Sequence, residues 1–255
     1  MKKYSLIILL SLVSFLGFSQ DALRAIGKIT YISAVTAMGS LQNNGHTSLY
    51  FNADRSLYIH DDAPKKDTFM YYKDIESSGD VSGDPTGFPI FKLHKEKRLL
   101  FKQFFFPYSN KNLSIISDTF ATTQWILIPD STKQFGSFTC EKATGHFRGR
   151  DYEVWYAPDI PIPSGPFKLG GLPGLIFEAR STDKKVQFLF NSIEISKNIE
   201  QKIEFPPGGV DTQKTYAEAI EKIYAVMKQF EDEAAANGST MTMSMLETIE
   251  LNAKN

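Results

Sequence analysis

The stretch "FKLGGLPGLIFEAR", Phe167 to Arg180, combines two features that rarely occur together. Its Gly residues and Pro-Gly pair interrupt regular helix or strand, yet the Leu, Ile and Phe residues around them make it more apolar than an ordinary connecting loop. From Leu175 onward the pattern alternates as in a strand, with Leu175, Phe177 and Ala179 on one side. The stretch therefore predicts irregular backbone that is buried and that enters a strand at Leu175.

The residues just upstream extend the irregular region. Proline lacks the N–H group that a helix or a central strand requires, and five prolines occur here: Pro158, Pro161, Pro163, Pro166 and Pro173. We call residues 158–174 the Pro/Gly segment. Within it, Leu172-Pro173-Gly174-Leu175 predicts a type II turn, in which Gly174 has a positive φ.

Burial is the expected state of the Pro/Gly segment, because its apolar side chains gain roughly 1.5–3 kcal/mol each by leaving water. These side chains are Ile160, Ile162, Phe167, Leu169 and Leu172. The segment is therefore expected to be an ordered flap over the edge or the mouth of a sheet. Two roles stay open for it: a structural plug, or a flap that also lines a groove for a ligand or partner.

Short β-like segments separated by turn signals occupy the chain up to residue 196. They lie at 28–38, 47–62 (two strands), 67–72, 89–106 (a hairpin turning at Glu96-Lys97), 113–120, 125–128, 135–144, 151–156, 175–181 and 186–196. No helix-length crossover separates them, which favours antiparallel pairing. The predicted fold class is mainly β, a curved antiparallel sheet that is half-barrel or sandwich-like.

The strand at 186–196 is apolar on both faces and so requires a second layer. Alternation places Val186, Phe188 and Phe190 on one face and Leu189, Ile193 and Ile195 on the other. A C-terminal amphipathic helix over 216–236 can supply that layer, since Thr215 and Glu218 form a capping box and Asn237-Gly238 is a stop signal. Its apolar positions are Tyr216, Ala219, Ile220, Ile223, Met227 and Phe230. Residues 239–255 could be a last strand, a short helix or a loose tail.

The first residues predict export. Lys2 and Lys3 precede an apolar run from Leu6 to Phe18, and Gly17 and Ser19 suit cleavage before Gln20, as in a secretory signal peptide. A buried N-terminal helix is the alternative. The expected organisation is a signal peptide at 1–19 and one β domain at 20–238, located in the periplasm or cell envelope. No transmembrane span is expected in the mature chain, because no later stretch approaches 18 consecutive apolar residues.

The charge balance limits the classes of partner, and the cysteine content limits covalent cross-links and thiol chemistry. Removing residues 1–19 leaves 26 basic against 29 acidic side chains, a balance that favours neither nucleic acid nor an anionic membrane as partner. Cys140 is the one cysteine, so no intramolecular disulfide can form. Its alternation with Phe138 indicates a small core residue rather than a nucleophile.

The sequence contains no recognised catalytic or metal-binding motif. His46, His60, His94 and His146 are widely spaced, which does not match zinc-ligand spacing. Neither a GxSxG motif nor a phosphate loop is present. We therefore predict no metal, no cofactor and no assigned catalytic residue, and the sequence leaves enzymatic activity open.

The polar residues that most suggest a binding site are Arg148, Arg150, Asp151, Asp159 and Glu178. Arg148 and Arg150 flank a glycine in a turn, where a guanidinium could bind a carboxylate of a ligand or of a partner. In the alternative interpretation, Arg150 pairs with Glu178 and fixes the Pro/Gly segment to the sheet.

Residues Cys140 to Ala179, "CEKATGHFRGRDYEVWYAPDIPIPSGPFKLGGLPGLIFEA", resemble the signature of the GLPGLI family, exported proteins of Bacteroidetes without an established activity. The family is named after the hexapeptide formed here by Gly171, Leu172, Pro173, Gly174, Leu175 and Ile176. The "VWY" strand followed by a kinked Pro-rich segment is also similar to periplasmic lipoprotein-carrier folds. That resemblance implies an open half-barrel.

The sequence thus predicts a binding or assembly module of the cell envelope, which holds an apolar ligand, a peptide or an envelope protein near the Pro/Gly segment. The candidate contact residues are Arg148, Arg150, Trp155, Tyr156, Phe167 and Leu169. The alternative is a periplasmic hydrolase that uses Asp159 or Glu178 with His146.

Overall fold

The structure is a computed structural model that describes residues 23–37, 40–61, 68–70, 79–81, 88–104, 113–119, 124–208 and 210–238. The predicted signal peptide, the tail at 239–255 and part of the strand predicted at 67–72 lie outside these residues. No helix in the described part of the chain is long and apolar enough to cross a membrane.

The described residues form strands β1 to β14 and helix α1. The strands are β1 Gly27–Ala37, β2 Ser40–Phe51, β3 Arg55–His60, β4 Thr68–Met70, β5 Gly79–Val81, β6 Ile90–Leu93, β7 Arg98–Phe104, β8 Leu113–Thr119, β9 Trp125–Phe135, β10 Phe138–Phe147, β11 Arg150–Ala157, β12 Leu175–Ser181, β13 Val186–Ile195 and β14 Val210–Thr215. Helix α1 spans Tyr216–Ala236, the bounds that the capping box and the Asn-Gly stop predict.

Twelve of these strands form one sheet in the order β14-β8-β7-β6-β3-β2-β1-β13-β12-β11-β10-β9, and β4 pairs with β5 separately. Ten of the eleven pairings between neighbouring strands of this sheet are antiparallel, which confirms the predicted fold class. The exception is β14, which runs parallel to β8. The sequence analysis did not predict this parallel pair at the edge, where α1 follows directly on β14.

The sheet is open and curves around the Pro/Gly segment. The side chains of Ser56 on β3, Lys92 on β6 and Trp125 on β9 all bond to this segment. Because β9 lies at one end of the strand order and β3 and β6 lie in the opposite half, only a curved sheet allows these contacts. The open curved sheet corresponds to the half-barrel alternative.

The main core lies inside the curve and is built from the inward faces of both halves of the sheet. Ile29, Tyr31, Val154, Phe177 and Phe188 are fully buried there. The first turn of α1 joins this core through Tyr216, Ala219 and Ile220. The structure does not describe the side chains of three residues on the predicted apolar face: Ile223, Met227 and Phe230.

A smaller core covers the outer face of β3 and β6. Leu57 and Phe91 pack there with Ala25, Ile199 and Ile203. Residues 199–205 thus cover this face of the sheet as a second layer. The sequence analysis had assigned the second layer to the helix alone.

The predicted face of Ile193 is wrong. The pairing of β1 with β13 shifts register between Thr30 and Tyr31, which face Ser192 and Phe190, so Asn191 is an extra residue in β13. A bulge of this kind reverses the alternation beyond it. Ile193 therefore packs against the main core, as Phe190 does.

Candidate functional site

The Pro/Gly segment is ordered and packs inside the curved sheet. Ile160, Ile162, Leu169 and Leu172 are buried, as predicted, and Phe167 is half-buried. The ring of Phe167 stacks on that of Phe188, with the ring centroids 6.5 Å apart. The segment therefore lies buried inside the half-barrel.

Backbone hydrogen bonds fold the segment back on itself and on β12. The N–H of Gly171 donates to Pro163 O at 3.1 Å, and Ser164 forms an isolated bridge with Gly170. The N–H groups of Leu175 and Ile176 donate to Ile160 O and Ser164 O, both at 2.9 Å. These bonds satisfy backbone groups that burial would otherwise penalise.

Glycine is required in the hexapeptide for a reason other than the predicted one. The positive φ, +88°, belongs to Gly171 and not to Gly174, so the predicted backbone conformation of Gly174 is wrong. A Cβ atom at Gly174 would lie 2.2 Å from Ala157 O. Gly174 thus permits a close approach of the end of the segment to the end of β11.

Arg148 lies in the tight β10–β11 turn, where Arg148 and Gly149 both have positive φ values, +48° and +84°. This pattern is typical of a type I′ hairpin turn. The turn places the Arg148 guanidinium against the main core, where Nη2 donates to both carboxylate oxygens of Asp118 at 2.7 and 2.8 Å. The Arg148 guanidinium thus forms an internal ion pair, and its binding of an external carboxylate stays a prediction.

A second cation, Lys168 of the Pro/Gly segment, is buried beside Arg148. Its Nζ lies 3.9 Å from the ring centroid of Phe101 and 3.7 Å from that of Tyr216, and 3.8 Å from Asp118 Oδ2. The Arg148 guanidinium lies 4.4 Å from the Tyr216 ring centroid. Cation–π contacts and one carboxylate therefore join β8, the β10–β11 turn, the Pro/Gly segment and α1.

Arg150 pairs with Asp183 in the β12–β13 turn, and the predicted pair with Glu178 is wrong. Glu178 instead accepts hydrogen bonds from Lys133 Nζ at 3.1 Å and from Arg180 Nε at 3.0 Å. The reason is the register, because Arg150 begins β11 whereas Glu178 lies opposite Trp155, near its other end.

The aromatic candidates divide between core and surface. Tyr156 is buried and donates its hydroxyl to Glu141 at 2.7 Å, and burial raises its pKa to about 12. Trp155 is half-buried between the cations of Lys133 and Lys142, whose Nζ atoms lie 5.8 and 6.0 Å from its ring centroid. Leu169 is buried in the main core together with Tyr156, and Trp155 and Phe167 pack against that core.

The residues of the hydrolase alternative lie at opposite ends of the β10–β11 hairpin. His146 Nδ1 bonds to Asp151 at 2.7 Å. Glu178 on β12 pairs with Trp155 on β11, and Trp155 pairs with Lys142 on β10, which lies four residues before His146. Four residues along a strand correspond to roughly 13 Å. Asp159 follows the other end of β11 and acts electrostatically on Cys140. His146 therefore forms no hydrogen-bonded pair with Glu178.

The sequence analysis missed the exposed edge formed by β9. Ile126 and Leu127 are 65% and 49% exposed, and among the described strands β9 pairs with β10 alone. The indole N–H of Trp125 donates to Gly170 O at 2.8 Å, which places this edge beside the Pro/Gly segment. The sequence signal for this exposed edge was that residues 125–128, "WILI", do not alternate between apolar and polar side chains.

Residues 146–178 match a family model described as a protein of unknown function (Porph_ging). This match falls within the region that resembles the GLPGLI family, and that family name stays a prediction. No curated protein sequence matches the chain.

Among solved structures, the chain is similar to PNGF-II in the P21 space group, with a TM-score of 0.50, 16% identity and coverage of 79% of this chain and 33% of that chain. PNGF-II in the C2 space group gives a TM-score of 0.48 at 14% identity, with the same coverage. The chain thus spans about a third of the length of the PNGF-II chains. At these identities the likeness concerns the fold alone.

Proposed function

We propose that this protein is an exported binding module of the cell envelope that adds an extended segment of a partner polypeptide to the outer edge of β9. The supporting observation is the apolar, exposed first half of that strand. An edge strand presents peptide N–H and C=O groups that a partner strand can pair, while alternate side chains provide specificity.

The side chains of this edge suit an apolar partner. Ile126 and Leu127 are consecutive, so they point to opposite faces of the sheet, and both are largely exposed. A partner strand can therefore be contacted by an apolar side chain on either face. Among the described strands β9 pairs on one side only. Exposed apolar residues on such an edge are a liability that proteins usually avoid, and their presence here favours a role in binding.

The second half of β9, unlike the first half, contains features that prevent a further strand from pairing with it. The pairing of β9 with β10 shifts between Ile128 and Thr132, and Pro129 and Asp130, the latter with φ +56°, lie in this bulge. Proline, charge and bulges are devices that block strand addition. The proposed contact is accordingly limited to Trp125–Ile128.

The edge formed by β9 is fixed by a hydrogen bond within this chain, without a partner. The hydrogen bond from Trp125 to Gly170 O ties β9 to the buried Pro/Gly segment. A rigid edge loses less conformational entropy on binding. The interior, in contrast, is occupied by stacked and edge-on rings such as Phe167 on Phe188 and Phe101 on Tyr216. This filling favours a polypeptide at the edge over an apolar ligand inside the half-barrel.

The envelope location is part of the proposal and is supported by the sequence of residues 1–19. Their Lys pair, apolar run and small residues before Gln20 suit secretion. A partner polypeptide would accordingly be another exported or envelope protein.

Site-specific photo-crosslinking tests the proposed edge. A photoreactive amino acid replaces Ile126 in the chain expressed in its own cells, and Ile195 on β13 is the matched control. Ile195 is 54% exposed, but β13 pairs with strands on both sides. Adducts to a distinct polypeptide at 126 and not at 195, lost in Leu127→Lys, would support the proposal. Equal labelling at the two positions, or adducts at 126 that contain only this chain, would refute it.

A further inference from the structure

A chain of four buried polar side chains links the sheet to the Pro/Gly segment. His94 Nε2 lies 3.2 Å from Ser56 Oγ, Ser56 Oγ lies 2.8 Å from Ser164 Oγ, and Lys92 Nζ lies 3.4 Å from Ser164 Oγ. Ser56 and Ser164 are fully buried, as is Lys92, and His94 is nearly so. This chain is independent of the β9 edge.

The ends of the chain are oriented by backbone carbonyls, which can only accept. Lys92 Nζ donates to Gly165 O at 2.7 Å and to Leu169 O at 2.8 Å. His94 Nδ1 lies 3.1 Å from Ala53 O and must carry a proton to bond there. In neutral His94, Nε2 is then an acceptor that faces Ser56.

The number of protons in the chain is restricted by its geometry. Three links join His94 Nε2, the two hydroxyls and Lys92 Nζ, and each link requires one hydrogen atom. The two serine hydroxyls supply two. The third must come from one end, either Lys92 as an ammonium or His94 as an imidazolium. When both ends donate, four hydrogens compete for three links and one buried donor loses its bond, which is costly.

The electrostatic environment favours a single protonated end. Burial lowers the pKa of His94, and the charges of Lys92 and Arg55 lower it further, while the bond to Ala53 and the charge of Asp54 oppose them. Burial also holds the pKa of Lys92 well below its usual range. Asp54 itself pairs with exposed Lys95 at 2.9 Å. Because the pKa of His94 is lower in the folded state than in the unfolded state, its contribution to stability is lost as pH falls below about 6.5.

We propose that the His94–Ser56–Ser164–Lys92 chain is a proton-controlled latch, in which protonation of both ends releases the Pro/Gly segment from β3 and β6. Ser164 and Gly165 belong to the segment, so a broken link acts directly on its backbone. The consequence is a plug that is held firmly near neutral pH and loosens in acid.

Hydrogen–deuterium exchange of the full mature chain tests the latch. Exchange of peptides within 160–176 is measured at pH 7.5 and pH 5.0, and protection factors are corrected for the intrinsic pH dependence of exchange. We expect wild-type protection to fall roughly tenfold at pH 5.0, the order of loss typical of one buried donor that is left without its bond. His94→Gln, which cannot titrate, should abolish most of this difference. An unchanged wild-type protection factor, or the same difference in His94→Gln, would overturn the proposal.

Two matched histidine variants serve as controls. His146→Gln removes an exposed histidine that bonds to Asp151, and His60→Gln removes the β3 histidine whose pKa burial also lowers. Both should keep the wild-type pH response, and its loss in either would refute the assignment to His94. If His94→Gln does not fold, nitrogen NMR of wild-type His94 replaces it. A neutral Nδ1–H tautomer at pH 7.5 supports the latch, and an imidazolium at that pH refutes it.

Discussion

Arg148 in the β10–β11 turn and Asp118 on β8 connect the two ends of an open sheet. Arg148 Nη2 lies 2.7 and 2.8 Å from the two carboxylate oxygens of Asp118, although β8 and β10 each lie one strand from opposite edges. This ion pair thus bridges the opening of the half-barrel, across which no two of the described strands pair. The positive φ of Arg148 is the local cost of this contact.

Asp118→Asn should destabilise the fold strongly. Removing one partner of a buried ion pair leaves the other charge poorly compensated, at a typical cost of about 3–5 kcal/mol. Both side chains are buried, and Lys168 also lies 3.8 Å from this carboxylate. Urea unfolding of the mature chain measures the change, and a double-mutant cycle with Arg148→Met isolates the pair.

Asp54→Asn is the matched control, because it removes a carboxylate from an ion pair at the surface. Asp54 and Lys95 are both well exposed, and solvent screens such pairs. No measurable change in unfolding free energy is expected. Equal losses in Asp118→Asn and Asp54→Asn would show that burial does not set the strength of the Arg148 pair.

Gly174→Ala should lower the melting temperature by steric conflict. The new methyl would lie 2.2 Å from Ala157 O, and overpacking of this kind costs about 1–3 kcal/mol. Gly136→Asn is the control, since a Cβ there meets nothing within 4 Å and φ is +60°, a conformation that Asn tolerates. Thermal unfolding compares the two variants, and a Gly174→Ala protein as stable as Gly136→Asn would contradict the close approach.

Local signals predicted most of the elements. The capping box and the Asn-Gly stop located α1, and the change from Pro/Gly to alternating residues located β12, because these signals depend on neighbours in sequence. Ile193 was misplaced because a bulge depends on the partner strand. The ion pairs of Arg148 and Arg150 likewise depend on the register of distant strands, which sequence spacing alone does not reveal.

The candidate site was predicted less well for the same reason. Burial of the Pro/Gly segment followed from its composition, but its fixing by Lys92, Ser56 and Trp125 involves strands far away in sequence. A lysine within the apolar run "IFKL" was a signal of a buried amine. Its acceptors, Gly165 O and Leu169 O, were beyond sequence analysis.

Thr215→Ala should destabilise the start of α1. The backbone N–H of Thr215 donates to Glu218 Oε2 at 2.7 Å, and the N–H of Glu218 donates to Thr215 Oγ1 at 3.3 Å. Loss of an N-cap side chain typically costs about 0.5–2 kcal/mol. Chemical unfolding checks this, with Thr139→Ala on the exposed side of β10 as a variant outside any cap. A loss no greater than that of Thr139→Ala would argue against the capping contribution.

Secretion predicts a defined N-terminus. If residues 1–19 are a signal peptide, intact-mass measurement of the protein isolated from its own cell envelope should show a chain that begins at Gln20. Ser19→Arg should impair processing, because the position before the cut requires a small side chain. A mature protein that retains residues 1–19 would refute the predicted signal peptide.

Cys140 should be unreactive in the folded protein and should make stability fall at high pH. Burial raises the pKa of its thiol to about 12; Lys133 lowers this pKa, while Asp159 and Glu178 raise it. The unfolded thiol ionises near pH 8.5, so above that pH the unfolded state has lost a proton that the folded state keeps, and unfolding becomes easier as pH rises. Alkylation by iodoacetamide at pH 8 should be slow in buffer and complete in urea. Cys140→Ala should remove this part of the alkaline loss of stability, and rapid alkylation of the native chain would contradict the buried thiol.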